Sequence, residues 1–273
     1  MELSRRNLMK NAGWLTVGTT FGGLSASMAQ SAIGAAPETR IDLPDLPWPY
    51  AKLDPVAAAD AAYAGYYKGA CCYGVVEGVL QQLRKEIGFP YTMVPAALFV
   101  VGQGGVADTA NLCGAQNGAS SVIFLVTGGL ENKKRDVAYP IIQEVFNWYE
   151  QTALPDYRPK TPKFDIRKSV AGSQLCHVSV TKWCKATGFK AFSKERSERC
   201  AQLTASVAKY TVETLNKHAD GAFRMAHPLA SATQTCRSCH DKGSTLENTR
   251  GMIECGGCHF TPKTSVHPKL GNI

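Results

Sequence analysis

The sequence predicts a mostly α-helical fold: a helical, cysteine-rich part followed by a short, irregular C-terminal segment. Three observations predict it. Apolar residues recur at helical spacing over several long segments, proline and glycine gather between those segments, and the periodicity stops after Ala219. The 273 residues are 44% hydrophobic, enough to supply a real core.

Taken in order, Pro37 to Pro55 reads as an extended, proline-rich arm with Trp48 available for packing. Asp54-Pro55 is an N-cap and first-turn pair. The helix it starts is long, or broken near Gly65 and Gly69. Its second half presents Cys72, Val75, Val76, Val79, Leu80, Leu83 and Ile87 on one face, and Gly88 with Phe89-Pro90 stops it. The stretch from Gly102 to Gly129 is rich in small residues. Its apolar run Val122 to Val126 would suit a buried strand on its own, but its helix-like neighbours make it a buried, small-residue helix. Asp136 to Thr152 is an amphipathic helix that turns Ile141, Val145, Trp148 and Tyr149 inward. Leu154 to Lys163, with Pro155, Pro159 and Pro162, is a loop. Ser193 caps a long helix to Lys217, with Cys200, Leu203, Val207 and Leu215 inward. The expected division is a leader over 1–29, a helical domain over 30–218 and a C-terminal segment over 219–273.

Two strings in that last segment carry chemistry. Cys236-Arg237-Ser238-Cys239-His240 and Cys255-Gly256-Gly257-Cys258-His259 are both C-x-x-C-H runs, the attachment pattern of c-type haem. Two thiols three positions apart can each form a thioether to one vinyl group of the porphyrin, and the next histidine is then held under the iron. A haem tied on in this way needs little apolar sequence to retain it. The rival reading is zinc, because the four cysteines also fit a zinc-ribbon spacing. The histidine directly after each pair decides between them, since four thiolates would complete a zinc site without it. Two covalent haems c are therefore expected.

The N-terminus agrees. Ser4-Arg5-Arg6-Asn7-Leu8-Met9-Lys10 resembles the twin-arginine export consensus, and a small-residue-rich apolar stretch follows to Met28, with Ser27-Met28-Ala29 as a cleavage site. That stretch is too short for a stable membrane span. Haem is attached to such motifs outside the cytoplasm, so a periplasmic location is expected. The twin-arginine route carries folded proteins, which suggests a second cofactor inserted before export. The net charge of +8 is spread over the chain, and haem propionates would offset much of it, so no nucleic-acid partner is inferred.

Cys71, Cys72, Cys113, Cys176, Cys184 and Cys200 lie outside the haem motifs. Disulfides, buried free thiols and an iron–sulfur site are three readings that spacing alone leaves open. Cys113 stands among Gly102, Gly104, Gly105 and Gly114, where backbone N–H groups could face cluster sulfurs, although the same glycines would also allow close helix packing. They do not form a dinucleotide fingerprint, because no strand–turn–helix unit surrounds them.

Cys72, Cys113-Gly114-Ala115-x-x-Gly118 and Cys176-His177-x-Ser179-Val180-x-x-Trp183-Cys184 resemble the redox-active protein family named for a C…CGAxxG…C…C pattern. With two C-x-x-C-H motifs and a leader, nearly the whole mature chain is similar to the split-Soret cytochromes c of sulfate-reducing bacteria. The resemblance implies a helical homodimer with closely stacked, bis-histidine haems and sixth ligands crossing from the partner. It also implies an iron–sulfur centre of the [2Fe-2S] type. Cys113, Cys176 and Cys184 fall on the motif, with Cys72 (or Cys71) and Cys200 as the further candidates.

His240 and His259 are the proximal ligands, and His177 belongs to the cysteine motif. Of the remaining histidines, His227 and His267 each precede a proline near the haem motifs and are the expected distal ligands. His218 ends a helix, where a cation meets the dipole favourably, and is held in reserve. Iron with both axial positions filled favours electron transfer with a redox partner protein. The alternative is a periplasmic oxidoreductase acting at the iron–sulfur centre or at an open haem.

Overall fold

The computed structural model describes residues 42–259. The expected leader and His267 lie outside the described residues.

The first element, α1 (Pro55–Glu86), begins as expected. The Asp54 carboxylate accepts from the N–H groups of Val56 at 2.8 Å and Ala57 at 3.3 Å, and Pro55 opens the first turn. The element is not one rod. Gly69 and Ala70 leave helical geometry, with φ/ψ of −146°/23° and 62°/−165°. The Asp54 N–H then donates to Gln82 Oε1 at 2.9 Å, and Gln82 Nε2 donates back to the Asp54 carbonyl at 3.0 Å. In a straight helix these residues would stand roughly 42 Å apart. The chain therefore doubles back at Gly69-Ala70 into two antiparallel arms, 55–68 and 71–86. Small residues let the arms touch: a Cβ at Gly78 would lie 2.7 Å from the Ala58 carbonyl oxygen and 2.9 Å from Ala62 Cβ.

Irregular chain follows, with 3-10 turns at Tyr91–Met93 and Ala96–Gly102. The expected buried helix is α2 (Gly114–Thr127), with Ala115, Ala119, Val122 and Ile123 fully enclosed. The amphipathic helix α3 (Asn132–Gln151) starts four residues earlier than Asp136 and buries Ile141, Val145, Trp148 and Tyr149. Two short antiparallel strands, β1 (Ala153–Leu154) and β2 (Ser169–Val170), close the proline-rich loop.

The helix α4 (Cys176–Thr187) has no counterpart in the sequence reading. Only Ser179 and Trp183 on it are buried, so it shows no apolar stripe to read. The long helix α5 (Lys194–Ala219) is capped as expected, with Ser193 Oγ accepting from the Arg196 N–H at 3.1 Å. It packs along the α1 hairpin and buries Leu203, Val207 and Leu215, while Cys200 stays half-buried. The C-terminal part holds two short helices, α6 (Ser231–His240) and α7 (Gly256–His259), which carry the C-x-x-C-H strings. Among the described residues, no helix is long and apolar enough to cross a membrane.

Ala70 occupies a backbone region essentially reserved for glycine, which costs of order 1–3 kcal/mol for a residue with a Cβ. Ala70→Gly is expected to raise unfolding stability by about 1 kcal/mol after its greater unfolded-state entropy is allowed for. Chemical denaturation would measure this, and a lower midpoint would count against the turn.

Candidate functional site

Four thiols from four different elements act on one another electrostatically. Cys71 stands at the start of the second hairpin arm, Cys113 just before α2, Cys176 at the first residue of α4 and Cys200 in α5. Backbone hydrogen bonds join two of these positions, the segments around Cys113 and Cys176. The Cys113 N–H donates to Gln174 O at 3.0 Å, the Cys176 N–H to Asn111 O at 2.7 Å and the His177 N–H to Ala110 O at 3.0 Å. Burial pushes the Cys71 thiol well up, and the neighbouring Cys113, Cys200 and Cys176 push it further, opposed by a hydrogen bond from the Gly104 backbone. Burial followed by Cys113 and Cys200 raises Cys176 to about 12. Cys72 reaches about 12 through burial and Cys113.

The glycines of the motif are steric necessities. A Cβ on Gly114 would lie 2.3 Å from Gly102 O and 2.4 Å from Cys71 Sγ, and one on Gly118 would lie 2.7 Å from Cys72 O. Only bare backbone lets α2 settle against the two adjacent cysteines. Among the described residues no group of three or more His, Cys, Asp or Glu side chains is drawn together closely enough to hold a metal ion. All the cysteines whose side chains are described are free of disulfides. Cys184 lies about two turns beyond Cys176 in the same helix.

Donor chemistry provides a test of fit. Arg199, 1% exposed, lies beside Cys200 and Cys113, and its Nε has no hydrogen-bond partner. A buried guanidinium requires negative charge nearby. Gathered thiolates would supply it, so the residues present fit an anionic, thiolate-held metal centre.

The haem strings lie beside each other. In α6, Cys236 and Cys239 are three residues apart and therefore share a face. His240 Nδ1 is hydrogen-bonded to Asn248 Oδ1 at 2.7 Å. At the second string the Glu254 carboxylate accepts from the Gly256 and Gly257 N–H groups at 2.6 and 2.8 Å, capping α7. Burial raises the Cys255 thiol, and its contact with Cys236 raises it further, so the first thiols of the two strings are neighbours. A cavity of about 220 Å³ separates Cys255 and His259 from Ser173, Leu175 and Val178, the chain that leads into and follows Cys176.

His227 is held by several hydrogen bonds. Its Nδ1 lies 2.7 Å from Glu144 Oε1 and 3.1 Å from the Tyr210 hydroxyl. Glu144 Oε2 takes the N–H groups of Ala226 and His227 at 2.9 and 3.0 Å, and Asn147 Nδ2 donates to His227 O at 2.9 Å. Burial works to raise the Glu144 pKa, but the bonds from His227 and Tyr210 outweigh it and hold the carboxyl below its ordinary value. His218 sits half-buried in the last turn of α5, at the helix end where the sequence placed it.

Residues 70–214 match the family described as "Putative redox-active protein (C_GCAxxG_C_C)". Split-Soret cytochrome c of Desulfovibrio desulfuricans (strain ATCC 27774 / DSM 6949 / MB) is 35% identical over 271 residues, covering 95% of each chain. This chain belongs to the split-Soret cytochrome c family. A solved structure described as "A novel iron centre in the split-Soret cytochrome c from Desulfovibrio desulfuricans ATCC 27774" aligns with a TM-score of 0.73 at 35% identity. It covers 80% of this chain and 91% of that one.

The family pattern corrects one detail of the sequence reading. It prints glycine before cysteine, whereas this chain has Cys113 before Gly114. The exchange has a steric reason here. A cysteine at position 114 would drive its Cβ into Cys71 Sγ and Gly102 O. The sequence reading passed over Arg199 and Glu144, neither of which forms a spaced motif with the ligand candidates. An arginine on the inward face of α5 was the one available signal.

Glu150 offers a test of how the second haem string docks. It is buried at the end of α3, and burial followed by Glu254 raises its pKa from 4.5 to about 7, opposed by Lys182. Its folded value lies above its unfolded one, so its contribution to stability is present below pH 4.5 and is lost as pH rises through 7. Glu150→Gln should therefore gain stability relative to wild type across that window. Melting curves at several pH values would check it; a parallel pH profile would show that Glu150 does not face Glu254.

Proposed function

We propose that this chain is a periplasmic electron carrier, working as a homodimer, with two covalent haems and a thiolate-held iron centre. The observation that carries the haem reading is the way His227 is held. Glu144 accepts from the Nδ1–H, which fixes the tautomer and leaves the Nε2 lone pair to a metal. The paired Tyr210 hydroxyl and the two backbone N–H bonds to Glu144 stop the carboxylate from turning away. A surface histidine with no ligand role would have no need of such a mount.

In this reading Cys236, Cys239 and His240 hold one haem, and Cys255, Cys258 and His259 hold the other. His227 and His267 are the distal ligands, supplied within the chain or across the dimer. Haem iron with two histidine ligands supplies one-electron exchange. The chain's part is to fix the ligand rings, through Asn248 on His240 and Glu144 on His227, so that neither ring must reorient when charge changes. With His227 and His267 holding the irons beside His240 and His259, the haems would supply electron exchange and offer no place for a substrate, which favours a carrier over an oxidoreductase. The contact between Cys255 and Cys236 supports two haems held close together.

Cys71, Cys113, Cys176 and Cys200 are the proposed ligands of the iron centre, with [2Fe-2S] as its form. The thiols of these four act on one another, and Cys72, which acts on Cys113 alone, and Cys184 stand outside the proposed set. The Arg5-Arg6 leader supports export by the twin-arginine route.

Two experiments test the proposal. His227→Ala should convert one low-spin haem to a high-spin form that binds carbon monoxide, while the wild type binds none. An unchanged visible spectrum would remove His227 from the ligand set. In anaerobically purified protein, iron beyond the two haem irons, with acid-labile sulfide, should be lost from Cys200→Ser and kept in Cys184→Ser. The reverse pattern would restore Cys184. Acidic solvent should leave the haem colour on the denatured chain.

A further inference from the structure

Arg199 is among the largest fully buried side chains of the described residues. Its neighbour Glu198 does not pair with it. The Glu198 carboxylate accepts from the Tyr63 and Tyr67 hydroxyls and from Gln202 Nε2, on the other side of α5. Among the described residues the hydrogen bond that Arg199 makes to an oxygen runs from Nη2 to Ser179 Oγ, at 2.8 Å. Ser179 Oγ also accepts from the Tyr149 hydroxyl at 2.9 Å, so one small hydroxyl sets the guanidinium against α3 and α4. Nε has no partner. The groups that act on Arg199 electrostatically are Cys200, Tyr149 and Cys113.

A guanidinium remains charged at every pH at which proteins fold. Removed from water without an anion, it costs several kcal/mol. Two neutral thiols and a phenol cannot offset that, but thiolates gathered at a metal can. We propose that Arg199 is the built-in counter-charge of the thiolate-held iron centre and keeps its reduction potential high. The inference rests on the iron-centre reading given above. An added electron makes the centre more negative. A fixed cation in a poorly screened interior therefore stabilises the reduced form more than the oxidised form. No bond is made or broken and no proton moves, because Arg199 stays charged in both states. Its role is positioning and tuning rather than ligation.

Arg196 provides an internal comparison. It also faces Cys200 and Cys176, but it is only partly buried and donates from Nε to Ala191 O at 2.6 Å. Water and salt screen its charge, so it should weigh far less on the centre.

The test is a redox titration of the anaerobically purified, full-length holoprotein, followed by the paramagnetic signal of the iron centre. Arg199→Met, which removes the charge at similar length, should lower the midpoint potential. Arg199→Gln removes the charge but keeps a donor for Ser179, and should lower it in the same direction if the methionine variant fails to fold. Arg199→Lys should stay near wild type, and Arg196→Met should shift it much less than Arg199→Met. A neutral variant that keeps its iron at the wild-type potential would overturn the inference, as would a lysine variant shifted as far as the neutral ones. Wild-type protein with haem iron alone would remove the iron centre itself and this inference with it.

Discussion

A side chain at position 114 would overlap the Cys71 sulfur, and much of the site depends on that vacancy. It lets the N-terminus of α2 approach the second arm of the α1 hairpin until Cys113 comes beside Cys71 and Cys72. The hairpin in turn depends on a reversal at Gly69-Ala70, and its arms can close only because Gly78 meets Ala58 and Ala62 across the seam. Close backbone approach is thus the device by which a chain with modest side chains forms a dense core. It also explains why thiols from separate elements face one another without a local motif to gather them.

Helix α3 supports each proposed cofactor site from a single rigid element. Glu144 and Asn147 hold His227, Tyr149 stands against Cys113 and Ser179, and Glu150 faces Glu254 beside Cys255. These residues lie within two turns of one another. A protein that moves electrons between fixed centres gains from such a common mount, since relative displacement of the centres is suppressed. The buried carboxylates on α3 differ in consequence. Glu144 is held low by its partners and serves as an anchor, whereas Glu150 meets another carboxylate and is held high.

The charge pattern around the thiols follows from burial. Desolvation disfavours the thiolates of Cys71, Cys113 and Cys176, and neighbouring thiols disfavour them further. A permanent cation, Arg199, in the same volume opposes that balance at Cys113 and Cys176 without overcoming it. Binding a metal there would release protons and convert binding energy into folding energy, so the centre and the helical packing would stabilise each other.

The sequence by itself determined what is local in origin. Each of the two C-x-x-C-H strings is legible within five residues, because the thioether spacing and proximal histidine proposed for it involve only neighbours in the chain. Asp54-Pro55 and Ser193 announce their helices for the same reason, and the inward faces of α1, α2, α3 and α5 follow from periodicity. Only the tertiary structure decided that α1 folds back on itself, that the Cys71 thiol interacts with those of Cys113, Cys176 and Cys200, and that among the described residues Arg199 is buried with no carboxylate paired to it. It also decided that Glu144, remote in sequence, holds His227. The helix α4 was illegible because its buried face is just Ser179 and Trp183. These features arise from contacts between distant elements, where steric fit across glycine and alanine surfaces selects the partner, and such fit leaves no periodic trace in the chain.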